Sequence, residues 1–504
     1  MVRRRQGQPG RPSTHGASLP RHSKKNATPL LNQWEELWEA CAPGVASAPC
    51  CGRRAREHLL AQLVSPGRHT LTSLITTRGR QFEDWSADYN LYAQQRIHPE
   101  AIFRQIRREV EALNPATQPL VLALDDTILR KTGRHIPTAA YRKDPLSPPF
   151  HINLVWAQRM IQLSAAVPTA QGDVRMIPVG FHDASTPRKP RKSAPPEQWD
   201  TYREILKQTN LNRRALQAVT DLQQERGAPG PGVTPLHLLV DGSYTNRKML
   251  RHLPPQTTLI GRIRKDAQLH AVPQSQLEHG RTRIYGEPAP TPEQLRAAEH
   301  VPWHIVRTTV AGKVRELRVK TLAPVRWRAA GHRDLRVVVI APTPYLQRLG
   351  GRRLYRRPAY LICTDPALPV QTVVQEYIWR WDIEVNHRDE KTLLGVGQAQ
   401  VRNPYSVASV PAAAVAAYAL LHIAAIKAYG WHGNPGVIPE PKWRDPHQKR
   451  RASTLDLINE LRRELWSSAI RTSHLTDFSA QLPHDTKHLK CNPQLDTALF
   501  YCTA

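Results

Sequence analysis

Two short apolar runs that each end in an acid constrain the fold of this chain most. Residues 119–126 read Pro-Leu-Val-Leu-Ala-Leu-Asp-Asp, and residues 236–241 read Leu-His-Leu-Leu-Val-Asp. Apolar runs of this length predict buried strands. Helical patterns at 199–225 and 247–253 alternate with such runs, so the sequence predicts an α/β core. The acids would lie at the carboxyl ends of strands, where open α/β sheets bind their ligands.

The regions around this core predict other structures. Residues 30–113 show helical spacing of apolar residues, which fits a helix-turn-helix domain or a plain helical bundle. The Ala-rich stretch 407–426 contains Ser409, Pro411 and His422, so we interpret it as a buried helix rather than a membrane span. The sequence predicts six regions. They are a disordered basic arm (1–27), an all-α domain (28–115), a first core part (116–265), a β-rich insertion (266–370), a second core part (371–430) and a C-terminal helical and loop region (431–504).

The charge of the chain indicates a polyanionic partner. Lys and Arg total 71 against 42 acids, which gives a formal net charge of +29. Nucleic acid is the simplest such partner, although an Arg-rich proteome would give the same bias. Six Cys in 504 residues exclude a disulfide scaffold, and no CxxC pair is present for a common structural zinc site. The first residues lack an apolar stretch, so no signal peptide is expected.

The strand-end acids leave one choice open. Asp125 and Asp126 are adjacent, so in a strand their side chains face opposite sides of the sheet. Only one of them can share a site with Asp241. Acids at strand ends also cap turns and helices, which is the alternative to a catalytic role.

A third element combines an acid with cations on one helix face. If residues 377–391 form one helix with ~100° per residue, Tyr377, Arg380, Glu384 and Lys391 lie within roughly 60° of each other. The remaining acids of the segment, Asp382, Asp389 and Glu390, fall off this stripe. The alternative is a structural Arg380–Glu384 ion pair at i, i+4.

Three carboxylates from two strands and a helix have a clear chemical use. Two Mg²⁺ ions about 4 Å apart need hard, anionic oxygen ligands and catalyse in-line phosphoryl displacement. Arg380 and Lys391 beside Glu384 suit phosphate oxygens, the arginine through its planar fork and the lysine as a point charge.

These residues resemble the DDE transposases of bacterial insertion sequences. The third block matches the Y-(2)-R-(3)-E-(6)-K signature of the insertion-sequence-4 superfamily without a gap. The first block, Leu124-Asp-Asp126-Thr, resembles the family's strand-Asp-Thr motif, and on that ground Asp126 is preferred to Asp125. The segments Leu239-Val-Asp241-Gly, Thr72-Leu-Thr-Ser-Leu and Asp84-Trp-Ser complete the match, the last two being similar to the insertion-sequence-701 branch. The resemblance covers roughly residues 60–430.

The resemblance implies a ribonuclease H-like core, interrupted by the β-rich insertion and preceded by an α-helical DNA-binding domain. It implies that Asp126, Asp241 and Glu384 bind two Mg²⁺, with Mn²⁺ as a substitute, and that Tyr377, Arg380 and Lys391 hold terminal DNA phosphates. The activity implied is cleavage of element ends and transfer of the freed 3′-OH into target DNA. Trp303 or Trp327 of the insertion would stack a flipped base, although a Trp is more often a core residue.

The partners implied are double-stranded DNA, as terminal inverted repeats and target, and a second copy of the chain in a synaptic homodimer. The expected location is the bacterial cytoplasm, at the nucleoid, without a membrane. Two other functions remain open: a catalytically inactive or domesticated DNA-binding regulator, and a ribonuclease H-like nuclease that only hydrolyses. Four further basic clusters are predicted to follow a DNA path: Arg188–Lys192, Arg262–Lys265, Arg352–Arg357 and Lys449–Arg451.

Overall fold

The computed structural model describes most of the chain. The described residues are 28–148, 150–187, 189–227, 233–273, 283–348, 350–431 and 451–471, with the single residues 493, 495, 498 and 499. The predicted basic arm 1–27 and most of the predicted C-terminal region 431–504 lie outside these ranges.

Five helices form the amino-terminal part, in agreement with the helical spacing of its apolar residues. Trp34, Leu37 and Trp38 are buried on one face of the first helix. Ile102, Ile106 and Val110 are buried in the same way on the fifth, as an i, i+4, i+8 stripe requires. The helices are α1 (Pro29–Val45), α2 (Pro49–Val64), α3 (Leu71–Thr77), α4 (Ser86–Ala93) and α5 (Pro99–Leu113).

The described residues contain a 12-stranded mixed sheet. Its strands are β1 (Leu120–Arg130), β2 (Ala140–Lys143), β3 (Leu154–Pro168), β4 (Val174–Asp183), β5 (Leu236–Val240), β6 (Thr257–Arg262), β7 (Leu269–Ala271), β8 (Pro288–Ala289), β9 (His304–Val310), β10 (Lys313–Trp327), β11 (Asp334–Ile340) and β14 (Ala359–Cys363). A separate hairpin joins β12 (Pro344–Leu346) to β13 (Arg353–Tyr355).

The order along the sheet is β2-β3-β1-β5-β6-β14-β11-β10-β7-β8, with β4 beside β3 and β9 beside β10. β5 pairs in parallel with both β1 and β6. The strands of the region predicted as a β-rich insertion extend this same sheet, since β14 pairs antiparallel with β6. The apolar strands β1 and β5 are therefore interior strands of the sheet, each hydrogen-bonded to a neighbouring strand along both edges.

The remaining helices are α6 (Pro196–Gln208), α7 (Leu211–Arg226), α8 (Arg247–Leu250), α9 (Pro292–Ala297), α10 (Val370–Trp379), α11 (Asp382–Thr392), α12 (Ser406–Tyr429) and α13 (Thr454–Arg471). Of these helices, α7, α9, α10, α11 and α12 pack against strands of the sheet, and α13 packs on α1, α2 and α12. The helix predicted over 199–225 is divided in two, because Asn210 caps α7 through the backbone N–H of Asn212. The Ala-rich α12 is long and apolar enough to cross a membrane, but 94% of its apolar window is buried inside the protein.

Candidate active site

The register of β1 and β5 decides which strand-end acids share a face. Leu124 lies opposite Val240 in the parallel ladder, so Asp125 and Asp241 are the next residues in register. Side chains alternate along strands, and residues opposite each other point the same way. Asp125 is therefore on the side of Ala123, which belongs to the buried cluster under α10 and α11.

The helical segment on this face is interrupted at Arg380 and Trp381. α10 ends at Trp379 and α11 begins at Asp382, so the segment predicted as one helix is two. The guanidinium of Arg380 lies between two carboxylates: Nη1 is 3.8 Å from Asp125 Oδ2, and Nη2 donates to Glu384 Oε1 at 2.9 Å. Arg380 thus links the strand acid to the helix acid.

The two other residues of the predicted stripe face the same region. The ring of Tyr377 lies 5.6 Å from the Arg380 guanidinium carbon, and among the described residues its hydroxyl has no hydrogen-bond partner. Burial raises the pKa of Tyr377, while the charges of Arg380 and Arg262 oppose the shift. Burial lowers the pKa of Lys391. The negative charge of Glu390 opposes this shift, and the positive charge of Arg130 adds to it. Both side chains are half-buried and close to charged partners.

Asp126 lies on the other face of β1. Its Oδ1 accepts a hydrogen bond from the Tyr244 hydroxyl at 2.8 Å, and its Oδ2 pairs with Arg159 Nε at 3.0 Å. The structure therefore does not bring the predicted residue Asp126 together with Glu384, and it places Asp125 there instead. The reason is the pleat, which turns adjacent side chains to opposite sides.

Asp125 is held in an environment that disfavours its charge. Burial raises the pKa of Asp125 to about 6, although the charges of His387 and Arg380 oppose the shift. Its partner across the β1–β3 ladder is Gln162, and Gln162 Nε2 donates to Glu390 Oε1 at 2.9 Å. A carboxylate that is buried without full compensation is a common feature of functional sites.

Glu390 and His387, which had no predicted role, also lie close to each other on α11. Glu390 is 1% exposed, and its Oε2 lies 3.5 Å from His387 Nδ1. Neither ring nitrogen of His387 has a hydrogen-bond partner in the part of the chain that is described. The hydrogen bond from Gln162 to Glu390 had no local signal in the sequence, because Gln162 lies on a distant strand.

The donor set suits a hard divalent cation. Asp125, Asp241 and Glu384 offer carboxylate oxygens, the ligands that Mg²⁺ prefers. Asp241 Oδ1 accepts from the backbone N–H and the hydroxyl of Ser243 at 2.9 and 2.6 Å, which fixes the orientation of that carboxylate. Within the described ranges no three His, Cys, Asp or Glu side chains lie close enough to hold a metal ion. The carboxylates are of the chemical type that binds such a metal. In this structure Arg380 lies between two of them, Asp125 and Glu384.

Of the residues predicted to stack bases or to follow DNA, Arg262 lies close to Tyr377 of the candidate site. Trp303 is half-buried, with Lys320 Nζ 4.7 Å from its ring centre, and Trp327 is half-buried at the end of β10, packed against the core. Arg262 is exposed at the end of β6. In the other basic clusters, Arg188, Lys449 and Arg450 are outside the described residues.

A mixed sheet with helices packed against it and paired strand-end acids under a helical carboxylate is compatible with a ribonuclease H-like nuclease core. The sequence pattern of the DDE superfamily endonucleases matches residues 48–334, more than half of the chain. The chain belongs to this family. The match includes β1 and β5 and ends before α10 and α11. No curated protein matches the sequence.

The family defines a class of activity. DDE superfamily endonucleases are nucleases and transposases that act on DNA and generally depend on divalent metal ions. The fold places two of the three expected acids within the matched region and the third on α11.

Proposed function

We propose that this protein is a DNA transposase that cuts insertion-sequence ends and joins the freed 3′-OH to target DNA. The observation that carries the proposal is the parallel register that aligns Asp125 with Asp241 beneath Arg380 and Glu384. The ungapped Tyr-Arg-Glu-Lys block supports membership of the insertion-sequence-4 superfamily. The amino-terminal motifs support its insertion-sequence-701 branch.

In this proposal Asp125 replaces Asp126 as the first metal ligand, with Asp241 and Glu384 as the others. Two Mg²⁺ ions bound there would activate the attacking oxygen and stabilise the leaving 3′ oxygen. Glu384 would exchange its hydrogen bond from Arg380 for a metal contact. This exchange frees the Arg380 fork for a phosphate oxygen.

The cations of the face would hold the DNA around the scissile bond. Arg380 presents a guanidinium that is 8% exposed, so it contributes a fixed rather than a mobile charge. Lys391 adds a second positive charge, and the Tyr377 hydroxyl, which has no partner among the described residues, would donate to a phosphate oxygen. Double-stranded DNA with terminal inverted repeats is the proposed substrate, and a homodimer would hold two ends together. Trp303 keeps the proposed role of stacking a flipped base.

Cleavage assays with matched variants test the proposal. DNA carrying the sequences that flank the reading frame is incubated with Mg²⁺, or with Mn²⁺, and the wild type. Asp125→Asn, Asp241→Asn and Glu384→Gln are each expected to lose at least about 1000-fold in rate while still binding DNA, because a carboxylate ligand is removed.

Asp126→Asn is the control, since it changes the adjacent carboxylate by the same chemistry. Its cleavage rate should fall far less than that of Asp125→Asn. Loss of activity in Asp126→Asn with retention in Asp125→Asn would reverse the assignment. DNA binding without cleavage by the wild type would favour the regulator, and hydrolysis without strand transfer would favour the nuclease.

A further inference from the structure

The face of β1 that carries Asp126 has a second group of cations, separate from Arg380 and Lys391. Three arginines come from different elements: Arg142 from β2, Arg159 from β3 and Arg214 from α7. Two acids lie among them, Asp126 and Asp183. We call these five residues the arginine cluster, and we propose that it is a second phosphate site, which holds a phosphodiester of the bound DNA.

The ladder registers put these side chains on one side of the sheet. Arg159 pairs with Ile128 of β1, two residues from Asp126, and Arg142 pairs with Val155 of β3, four residues from Arg159. Even spacing along a strand keeps side chains on the same face. Arg142 therefore faces the same side as Arg159 and Asp126.

Arg142 is the member whose hydrogen-bonding capacity is least used. It is 9% exposed, and its Nη1 makes a long hydrogen bond of 3.4 Å to Thr186 Oγ1. Its Nε and Nη2 are buried, and neither has an acceptor among the described residues. Buried charged donors without acceptors are costly, so a ligand that supplies acceptor oxygens would relieve the cost.

The two acids do not satisfy the three cations. Asp126 already accepts from Tyr244 and pairs with Arg159. Asp183 accepts from the backbone N–H of Ser185 at 3.2 Å and pairs with Arg214 at 3.3 Å.

The cluster therefore keeps one positive charge in excess. Burial lowers the pKa of Arg142, and the charges of Arg159 and Arg214 lower it further while Asp183 and Asp126 oppose them. All four neighbours thus act on the guanidinium whose Nε and Nη2 have no acceptor among the described residues.

A phosphate group fits this arrangement in charge and shape. Planar guanidinium groups bind phosphate oxygens in pairs, and several arginines around one anion are the usual form of such a site. The side chains of Arg159 and Arg214 are 31% and 29% exposed, so a ligand reaches the cluster from solvent. The choice of DNA as the ligand rests on the proposed function.

The site is tested by the salt dependence of DNA binding, measured by fluorescence anisotropy on a duplex of arbitrary sequence without divalent metal. Each lost phosphate contact lowers the slope of log Kd against log salt by about 0.9. Arg142→Gln and Arg159→Gln should each show this loss. Arg142→Lys should keep the salt slope but weaken binding. Lysine keeps the positive charge but lacks the planar guanidinium that binds two phosphate oxygens. Asp126→Asn should tighten binding about three- to tenfold, because it removes a competing carboxylate.

The controls repeat these charge changes at an exposed pair. Arg203 and Asp200 form an i, i+3 ion pair on α6 with side chains 66% and 71% exposed. Arg203→Gln and Asp200→Asn should leave the slope and the affinity nearly unchanged. Arg159→Gln is the variant to rely on if Arg142→Gln does not fold, because Arg159 is more exposed.

Each result has one meaning. Wild-type slopes in Arg142→Gln and Arg159→Gln, or unchanged affinity in Asp126→Asn, would overturn the proposal. Thermal stabilisation of the wild type by inorganic phosphate, combined with unchanged DNA slopes, would make the cluster a site for free phosphate and would also overturn it. These measurements involve no cleavage, so failure of the transposase proposal in the Mg²⁺ assay is a separate result.

Discussion

Arg380 occupies the position between Asp125 and Glu384 that a divalent cation would also favour. Its distances of 3.8 and 2.9 Å to the two carboxylates make it an internal counter-ion in the metal-free protein. A buried cation between two acids offsets their repulsion, and its removal leaves uncompensated charges. The same residue therefore stabilises the apo site and competes with metal for the carboxylates.

Arg380→Gln should show this competition directly. The variant is expected to be less stable than the wild type in EDTA by about 1–3 kcal/mol, because the largely buried Asp125 and the partly exposed Glu384 lose their counter-ion. Mn²⁺ should then raise its melting temperature by more than that of the wild type, since the metal no longer displaces an arginine. Thermal denaturation with and without Mn²⁺ measures both effects. Arg388→Gln, on the exposed side of α11, is the control; an equal Mn²⁺ response in wild type and Arg380→Gln would contradict the competition.

The acid doublet shows what the sequence predicts and what it does not. The apolar run before Asp125 predicted the strand, and the period of two predicted that Asp125 and Asp126 face opposite sides. The choice between them depends on the register against β5, which places Leu124 beside Val240. That register is set by packing between segments more than 100 residues apart, so no local pattern encodes it.

At the scale of elements, α11 has two working faces. Glu384 faces the strand acids together with Arg380, which lies in the break just before α11, and Asp382 and Asp389 lie on the far face, as the helical spacing predicted. There Asp382 Oδ2 accepts the backbone N–H of Met176 at 3.0 Å. Thr454 donates to Asp389 Oδ2 at 2.6 Å. The break after Trp379 was not predicted, because no Pro or Gly marks it.

A buried chain of hydrogen bonds fixes this far face. Arg175 Nη1 lies 2.6 Å from His422 Nδ1, and His422 Nε2 lies 3.2 Å from Thr454 Oγ1. Arg175 can only donate, so His422 accepts at Nδ1 and donates from Nε2. Burial lowers the pKa of His422 well below its ordinary value, which agrees with the neutral ring. The chain thus connects the start of α13 to the helix that carries Glu384.

Thr454→Val should loosen α11 without touching the proposed ligands. Asp389 loses a donor and His422 loses an acceptor, so a stability loss of about 1–3 kcal/mol is expected. The rate of cleavage should fall more than the affinity for DNA, because Glu384 is positioned less well. Thr392→Val, which removes an exposed hydroxyl on the same helix, is the control. Equal rates for the two variants would mean that the far face does not position Glu384.

At the scale of the whole molecule, the amino-terminal helices and the sheet share one core. Trp34 of α1, Leu122 of β1 and Leu420 of α12 belong to a single buried cluster. Glu464 of α13 accepts the backbone N–H groups of Leu30 and Leu31 at 3.1 and 2.7 Å, and so caps α1 from the other end of the chain. Local spacing predicted these helices, but such a cap between distant segments has no local signal.

Several buried acids have more than one cationic partner. Asp88 of α4 is the clearest case: it is 2% exposed and pairs with Arg54 at 3.2 Å and with Arg78 and His58. Burial alone would raise the pKa of Asp88. The hydrogen bond from His58 and the charge of Arg78 outweigh burial and lower the pKa to about 2. Asp88 thus stays ionised in the folded protein at nearly all pH values and holds α2, α3 and α4 together.

The stabilising effect of Asp88 should therefore depend on pH with a defined sign. Its folded pKa of about 2 lies below the ordinary value of 3.8, so its contribution is present above pH ~4 and is lost as the pH falls towards 2. This titration is worth about 2 kcal/mol. Asp88→Asn should be destabilised relative to the wild type by a constant amount from pH 8 to 5, and the difference should shrink only below pH ~4. Denaturant unfolding at several pH values measures it, with the exposed Asp266→Asn as control. A difference that changes between pH 7 and 5 would instead show that His58, by gaining a proton as the pH falls, controls the cluster.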